Sequence, residues 1–257
     1  MDTIRDRVLS KVPEVTLTFW VIKIAATTLG ETGGDAVSMT FGVGYLVSTL
    51  LFAVIFLVLV AAQIRARSFH PWLYWTVIVA TTTVGTTMAD FADRSLGIGY
   101  IGGSSILCVL VLASLGAWWL TEGTVSVNRV ATPRAEAFYW VTILFSNTLG
   151  TALGDFLADD GGLGFEGGSL VFGAAILLIG VAYYGTSISH TLLFWATFVL
   201  TRPLGATLGD TLTKPLAEGG LNLSRITSSL VIAAFIAGCI WLLPQRAGGH
   251  PGKPVKT

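Results

Sequence analysis

The sequence predicts an all-α integral membrane protein with eight transmembrane helices, built from four tandem helix-hairpin repeats and pseudo-symmetric about the membrane normal. Three observations predict it. Of 257 residues, 53% are hydrophobic and 12% charged, and mean hydropathy is +0.75, too apolar for an ordinary soluble domain. No charged side chain lies within residues 36–64, 95–121 or 167–201, and each run exceeds the roughly 20 residues that cross a bilayer as helix. Finally, one pattern recurs without gaps. Residues 20–35 (WVIKIAATTLGETGGD), 75–90 (WTVIVATTTVGTTMAD), 140–155 (WVTILFSNTLGTALGD) and 195–210 (WATFVLTRPLGATLGD) each carry Gly ten residues after the Trp and Asp fifteen after it.

The repeat extends past the Asp. Counted from each Trp, position 24 is Gly44, Gly99, Gly164 and Gly219, and position 29 is Thr49, Ser104, Ser169 and Ser224. Successive tryptophans are 55, 65 and 55 residues apart, so the halves match at an offset of 120. Such self-similarity points to two duplications. Each repeat therefore holds a first helix with the Trp, Gly and Asp, a Gly-containing turn, and a second helix without charge. In order, the spans are expected near residues 16–36, 45–64, 73–92, 102–120, 137–157, 168–188, 192–212 and 226–243. Residues 1–15 form an N-terminal segment without the apolar core of a signal peptide, and 244–257 a tail. Residues 16–120 and 137–243 are the halves, joined by a polar connector, 121–136, that contains Pro133.

Two spans per repeat bring every copy in from one side. Basic residues set the side. Arg5, Arg7, Lys11, Arg65, Arg67, Arg129, Arg134, Arg246, Lys253 and Lys256 lie in terminal or between-repeat segments, against Arg94, Lys214 and Arg225 in the turns within repeats. Both termini are expected in the cytoplasm. Fifteen helical residues rise about 22 Å, which puts the Asp residues toward the outer ends of their helices.

On each first helix, positions 3, 7, 11 and 15 form a slowly drifting stripe. In the first repeat it is Lys23, Thr27, Glu31 and Asp35; elsewhere positions 7 and 11 are Thr82 and Thr86, Asn147 and Thr151, and Arg202 and Ala206. Lipid offers polar groups no partners, so the four stripes should converge inside the bundle. Positions 10 and 14 beside them, Gly30 and Gly34, Gly85 and Ala89, Gly150 and Gly154, and Gly205 and Gly209, make a small-xxx-small pattern that packs backbones closely.

Asp35, Asp90, Asp155 and Asp210 have two readings: helix caps at the outer surface, or a carboxylate site. Deeper on the stripe, Arg202 near mid-span needs a carboxylate partner, and Glu31 and Lys23 share the cost of ionised groups in a bilayer. Pro203 should kink or open its helix. Carboxylates with hydroxyls are hard oxygen ligands, suited to Mg²⁺, Mn²⁺, Ca²⁺ or protons. The expected cation- or proton-binding set is Glu31, Asp35, Asp90, Asp155 and Asp210, with Lys23, Arg202 and Asn147 for charge pairing and gating, and Thr27, Thr82, Thr86 and Thr151 as a polar pathway. Trp20, Trp75, Trp140 and Trp195 are either interfacial anchors or an aromatic closure of the cytoplasmic end. His70 and His190 read as interfacial, and Cys108 and Cys239 as packed thiols.

Four tandem two-span copies with Trp, Gly and Asp, covering residues 20–241, resemble a bacterial family of membrane-anchored proteins catalogued as a repeat of unknown function. The resemblance implies eight helices and a bacterial inner membrane, and no activity.

No enzyme is expected: there is no His pair for haem, no Ser-His-Asp constellation, and GETGGD lacks the lysine of a phosphate loop. With 15 basic and 15 acidic residues there is no footprint for nucleic acid. The expected function is transport or export of a small hard cation, Mn²⁺- or Mg²⁺-like, with proton coupling suited to a cluster of acids. The alternatives are a pseudo-fourfold cation channel, or a lipid- or quinone-binding membrane protein. Expected partners are the lipid bilayer and a small inorganic cation or protons, with homo-oligomerisation left open and no cofactor.

Overall fold

The computed structural model describes residues 10–248. Arg5, Arg7, Lys253 and Lys256, used above for orientation, lie outside the described residues. Eight long α-helices follow one another: α1 (Leu17–Asp35), α2 (Tyr45–Arg65), α3 (Pro71–Asp90), α4 (Tyr100–Glu122), α5 (Pro133–Asp155), α6 (Gly164–Gly185), α7 (His190–Thr213) and α8 (Arg225–Leu242). No strand occurs among the described residues. Six of the helices are long and apolar enough to cross a membrane. The other two, α1 and α3, carry Lys23, Glu31 and Asp35, and a run of threonines, and both bury these groups.

The odd-numbered helices form a closed inner ring, α1 against α3, α3 against α5, α5 against α7, and α7 back against α1. Outer helices do not pack mainly on the inner helix of their own repeat. Instead α2 lies on α3, α4 on α5, α6 on α7, and α8 on α1. Each hairpin therefore clasps the next repeat, and the fourth clasps the first. The outer helices turn Leu, Val and Ile outward, among them Leu50, Val54, Leu57 and Val58 on α2 and Leu177, Leu178 and Val181 on α6. Cys108 belongs to this outward face and is exposed rather than packed, because α4 has no further helix outside it.

Why the ring closes is written in the small residues. A Cβ on Gly30 would collide with Thr82, one on Gly150 with Arg202 and Pro203, and one on Gly205 with Thr27; on Gly85 it would come within 3.1 Å of Asn147. The position-10 glycine of each inner helix thus receives the position-7 side chain of the next. At position 14, Gly34, Gly154 and Gly209 face Thr86, Ala206 and Glu31, each one repeat on.

Local signals start and stop the helices. Thr16 and Thr132 accept hydrogen bonds from the Phe19 and Ala135 amides as N-caps. Pro133 takes the first position of α5, so that helix starts before the expected residue 137 and the connector shortens. Beyond the Asp, the first three inner helices run on as π-helical turns, Ala36–Thr40, Phe91–Ser95 and Phe156–Asp160. Gly44 and Gly99, at φ 82° and 76°, then reverse the chain into α2 and α4, a conformation glycine takes without penalty. The fourth repeat differs: Pro215 disfavours α geometry at Lys214, which is extended at ψ 157°, and α7 ends there.

Pro203 is expected to kink or open α7; it does not open it, since the helix runs unbroken from His190 to Thr213. Its ring is held against Gly150 of α5, and the Thr207 hydroxyl donates to the Pro203 carbonyl at 3.0 Å. At the Trp end, the amides of Ser10, Glu14 and Gly248 tie residues 10–14 to 246–248, and the Lys11 amide reaches the Val130 carbonyl. Lys11 Nζ also meets buried Glu136 at 2.7 Å, so both described terminal stretches and the connector form one layer under the ring.

Candidate functional site

The stripes do converge. Glu31 Oε2 receives Arg202 Nη2 at 2.9 Å, and both residues are buried although 171 positions apart in sequence. Thr86 joins them: its hydroxyl accepts from Arg202 and lies 3.3 Å from Glu31 Oε2. Helices α1, α3 and α7 are tied together here by one charge-assisted network.

The other threonines of the expected pathway serve as joints between or within helices. Thr27 donates to the Thr201 carbonyl at 3.0 Å, Thr82 to the Ala26 carbonyl at 3.1 Å, and Thr151 to the Asn147 carbonyl at 3.4 Å. Asn147 donates to Thr81 Oγ1 at 2.9 Å. Lys23 is not in the charge pair expected of it. Its Nζ is fully buried, without a hydrogen-bond partner, 4.2 Å from the Phe198 ring centroid.

One turn further toward the C-terminal ends of the inner helices all four Asp residues are buried. Asp35, Asp90 and Asp155 make no capping hydrogen bond to the turns that follow them, which sets the helix-cap reading aside for these three. Nor are the four equivalent. Carboxylate oxygens of Glu31, Asp35 and Asp210 lie within 4.8 Å of one another, at the seam where α7 closes on α1. Asp90 and Asp155 stand outside that group, so the five-carboxylate set expected from the repeats resolves into three plus two. The reason is position 11: the carboxylate of Glu31 has no counterpart at Thr86, Thr151 or Ala206.

Basic side chains lie over the acids. Lys214 Nζ bridges Asp210 at 3.3 Å and Asp35 at 3.6 Å, Arg225 Nε stands 3.5 Å from Asp35, and Arg94 Nε 2.9 Å from Asp90. Asp155 has no basic side chain at ion-pair distance among the described residues. Burial works to lower the Lys214 ammonium's pKa, but Asp210 and Asp35 outweigh it and hold Lys214 above its ordinary value. Burial likewise opposes the Arg94 charge, and Asp90 and Asp155 overcome it. From the sequence these three residues were expected to bear only on orientation. A signal was present: Arg94 and Lys214 each stand four residues after an Asp and 120 residues apart, at one position of the duplicated half.

The opposite end is aromatic. Trp75, Trp140 and Trp195 are 1%, 2% and 5% exposed and Trp20 is half-buried, which favours the closure reading over interfacial anchors. The residue before each Trp was overlooked, although it is aromatic in all four copies: Phe19, Tyr74, Tyr139 and Phe194, all buried. Edge-to-face and tilted contacts, with centroids 4.9–6.3 Å apart, link the eight rings into one plug. Trp75 Nε1 donates to Gln245 at 3.2 Å and Trp195 Nε1 to the Val125 carbonyl at 3.0 Å, joining the plug to the tail and connector. His70 and His190 stay exposed at the rim.

Tyr74 and Tyr139 share one buried hydroxyl pair at 2.6 Å. Tyr74→Phe leaves the Tyr139 hydroxyl alone and is expected to cost about 1–3 kcal/mol, while the double change to Phe is close to neutral. Thermal unfolding of the two purified variants in detergent checks this; equal losses would show that the pair is not a bond.

The family model of a Repeat of Unknown Function (DUF347) matches the chain four times, over residues 18–69, 73–124, 138–189 and 193–246. Each match holds one inner helix and the outer helix after it. No curated protein and no solved structure matches the chain.

Proposed function

The chain belongs to the Repeat of Unknown Function (DUF347) family, and from that premise we propose that it is a membrane carrier of a small hard cation, an Mn²⁺- or Mg²⁺-like divalent ion. In this reading all eight helices cross a bacterial inner membrane about an axis along its normal, with both termini cytoplasmic. The observation that carries it is the meeting of Glu31, Asp35 and Asp210 within 4.8 Å inside the ring of polar inner helices. Three carboxylates at that spacing suit an oxygen-ligated divalent cation. An ionised acid among lipid-crossing helices is costly, and such groups mark ion paths.

Each residue then has a part. Glu31, Asp35 and Asp210 hold the ion; Arg202 fixes the Glu31 rotamer from below; the aromatic plug bars the cytoplasmic side, and Lys214, Arg225 and their loop bar the outer side. A carrier accounts for this better than a channel. Fully buried Lys23 and Arg202 lie along the stripe, and each is present in only one repeat, whereas an open pore needs a continuous uniform lining. The barriers at the two ends must open in turn.

Purified protein in liposomes that enclose a divalent-sensitive dye provides the test, run across a panel of cations. Saturable entry is expected for one or more divalent ions, and Asp35→Asn and Asp210→Asn should each reduce it to the rate of protein-free liposomes while the protein stays monodisperse. Wild-type rates in both variants would remove the site. An imposed pH gradient that changes the wild-type rate identifies protons as the coupling ion.

A further inference from the structure

We infer that Lys214 is a tethered stand-in for the cargo: its ammonium holds Asp35 and Asp210 together while the site is empty, and an incoming cation displaces it. This rests on the carrier reading above and names the event that opens its outer side. Lys214 Nζ reaches two of the three carboxylates of the group, at 3.3 and 3.6 Å, and is the only basic side chain among the described residues that bridges two of them. Both contacts are longer than the 2.9 Å of Arg202 to Glu31 and of Arg94 to Asp90. The displacement needs no proton transfer, because Lys214 leaves still charged and the cation takes its place between the carboxylates.

The internal duplication supplies a comparison within the molecule. At the offset of 120 residues, Asp90, Arg94 and Asp155 correspond to Asp210, Lys214 and Asp35 with the halves exchanged. The counterpart has Thr151 where Glu31 stands and Ser105 where Arg225 stands. Its base is an arginine seated in the π-helical turn Phe91–Ser95, a planar fork close on Asp90. Lys214, by contrast, is a point charge on a flexible stem, and Pro215 has put it in extended backbone at the start of a loop. In one copy the base is thus fixed on a single acid, in the other a releasable base spans two, and the third carboxylate is at the releasable copy.

The loop is a single bonded piece with the end of α7. Between Lys214 and Arg225 it folds back on the end of α7 through backbone bonds: Leu221 N–H to the Thr211 carbonyl at 2.7 Å, Asn222 N–H to the Lys214 carbonyl at 2.9 Å, and Leu223 N–H to the Leu212 carbonyl at 2.9 Å. Gly220 sits so close that any Cβ would strike the Lys214 carbonyl. Since Lys214 opens the loop and Arg225 follows it, movement of the loop withdraws both bases that cover Asp35.

Mn²⁺ binding to the purified full-length protein in detergent tests the role, read as loss of the free Mn²⁺ electron paramagnetic resonance signal. Lys214→Met is expected to bind about tenfold more tightly than wild type, because no fraction of the sites is held by the stand-in. Arg225→Gln removes the same charge from Asp35 but leaves Lys214 linking the two carboxylates, and should show a distinctly smaller gain. Lys214→Arg should bind more weakly than wild type. Lys214→Gln repeats the measurement if the Met variant does not fold. Equal gains in Lys214→Met and Arg225→Gln would reduce the effect to net charge and overturn the stand-in, as would weaker or unchanged binding in Lys214→Met. If the wild type binds and only the Lys214 expectations fail, the carrier reading survives without this inference; if neither wild type nor Lys214→Met binds any divalent ion, both fall.

Discussion

Arg202→Met is expected to lose about 3–5 kcal/mol of stability, and Glu31→Gln a similar amount, because each leaves one buried partner without its counter-charge. The guanidinium is fully buried and Glu31 nearly so, and among the described residues Arg202 has no other carboxylate at ion-pair distance. Coulomb attraction in such surroundings offsets desolvation only while both partners are present. The double change to Met and Gln should therefore recover most of the loss, since it removes the charge pair as a whole. Unfolding temperatures of the four proteins in one detergent measure this directly. On the carrier reading, transport separates from stability in the same set: the double variant folds but lacks one of the three proposed ligands, so its flux is expected to be absent. If both single variants melt with the wild type, the pair is not the joint between α1 and α7 described above.

Gly150→Ala and Gly205→Ala should each destabilise the ring, by about 1–3 kcal/mol for one added methyl in a filled interface. At both positions the new Cβ would overlap the neighbouring helix, with Arg202 and Pro203 in one case and Thr27 in the other. Neither neighbour can swing aside freely: Arg202 is bound to Glu31, and the Thr27 hydroxyl is bonded to the Thr201 carbonyl. Gly33 is the internal control, because the nearest atom to its Cβ is 3.9 Å away. Alanine there should be neutral or stabilising by about 0.5–1 kcal/mol, as expected for glycine replaced within a helix. Uniform tolerance of all three changes would mean that the inner helices are less closely engaged than the glycines indicate.

Much of the architecture could be read from residue order alone. Helix positions follow from apolar runs and from Thr16, Thr132 and Pro133, which are local signals. The repeat made the glycine pattern visible, and the stripe singled out Glu31 and Arg202 before any partner was known. Where the reading fell short, the missing information was relational. Threonine hydroxyls of Thr27 and Thr82 point at backbone carbonyls of the adjacent helix, and helical periodicity cannot distinguish that from a wet pathway. The aromatic position before each Trp is legible in the sequence, but a Trp alone has a sufficient explanation at a membrane surface and does not by itself point to a plug.

By itself the sequence determined four repeats, eight helices, an apolar exterior and a polar face on every first helix, since composition and periodicity act within one or two turns of chain. Only the tertiary structure decided that each outer helix clasps the following repeat, that the last repeat closes on the first, and that this seam brings Glu31, Asp35 and Asp210 together under Lys214. The physical reason is ring closure. A symmetric pattern treats four Asp residues as equal, whereas packing places Glu31 and Arg202, each present once, on either side of a single interface and makes that interface unlike the other three.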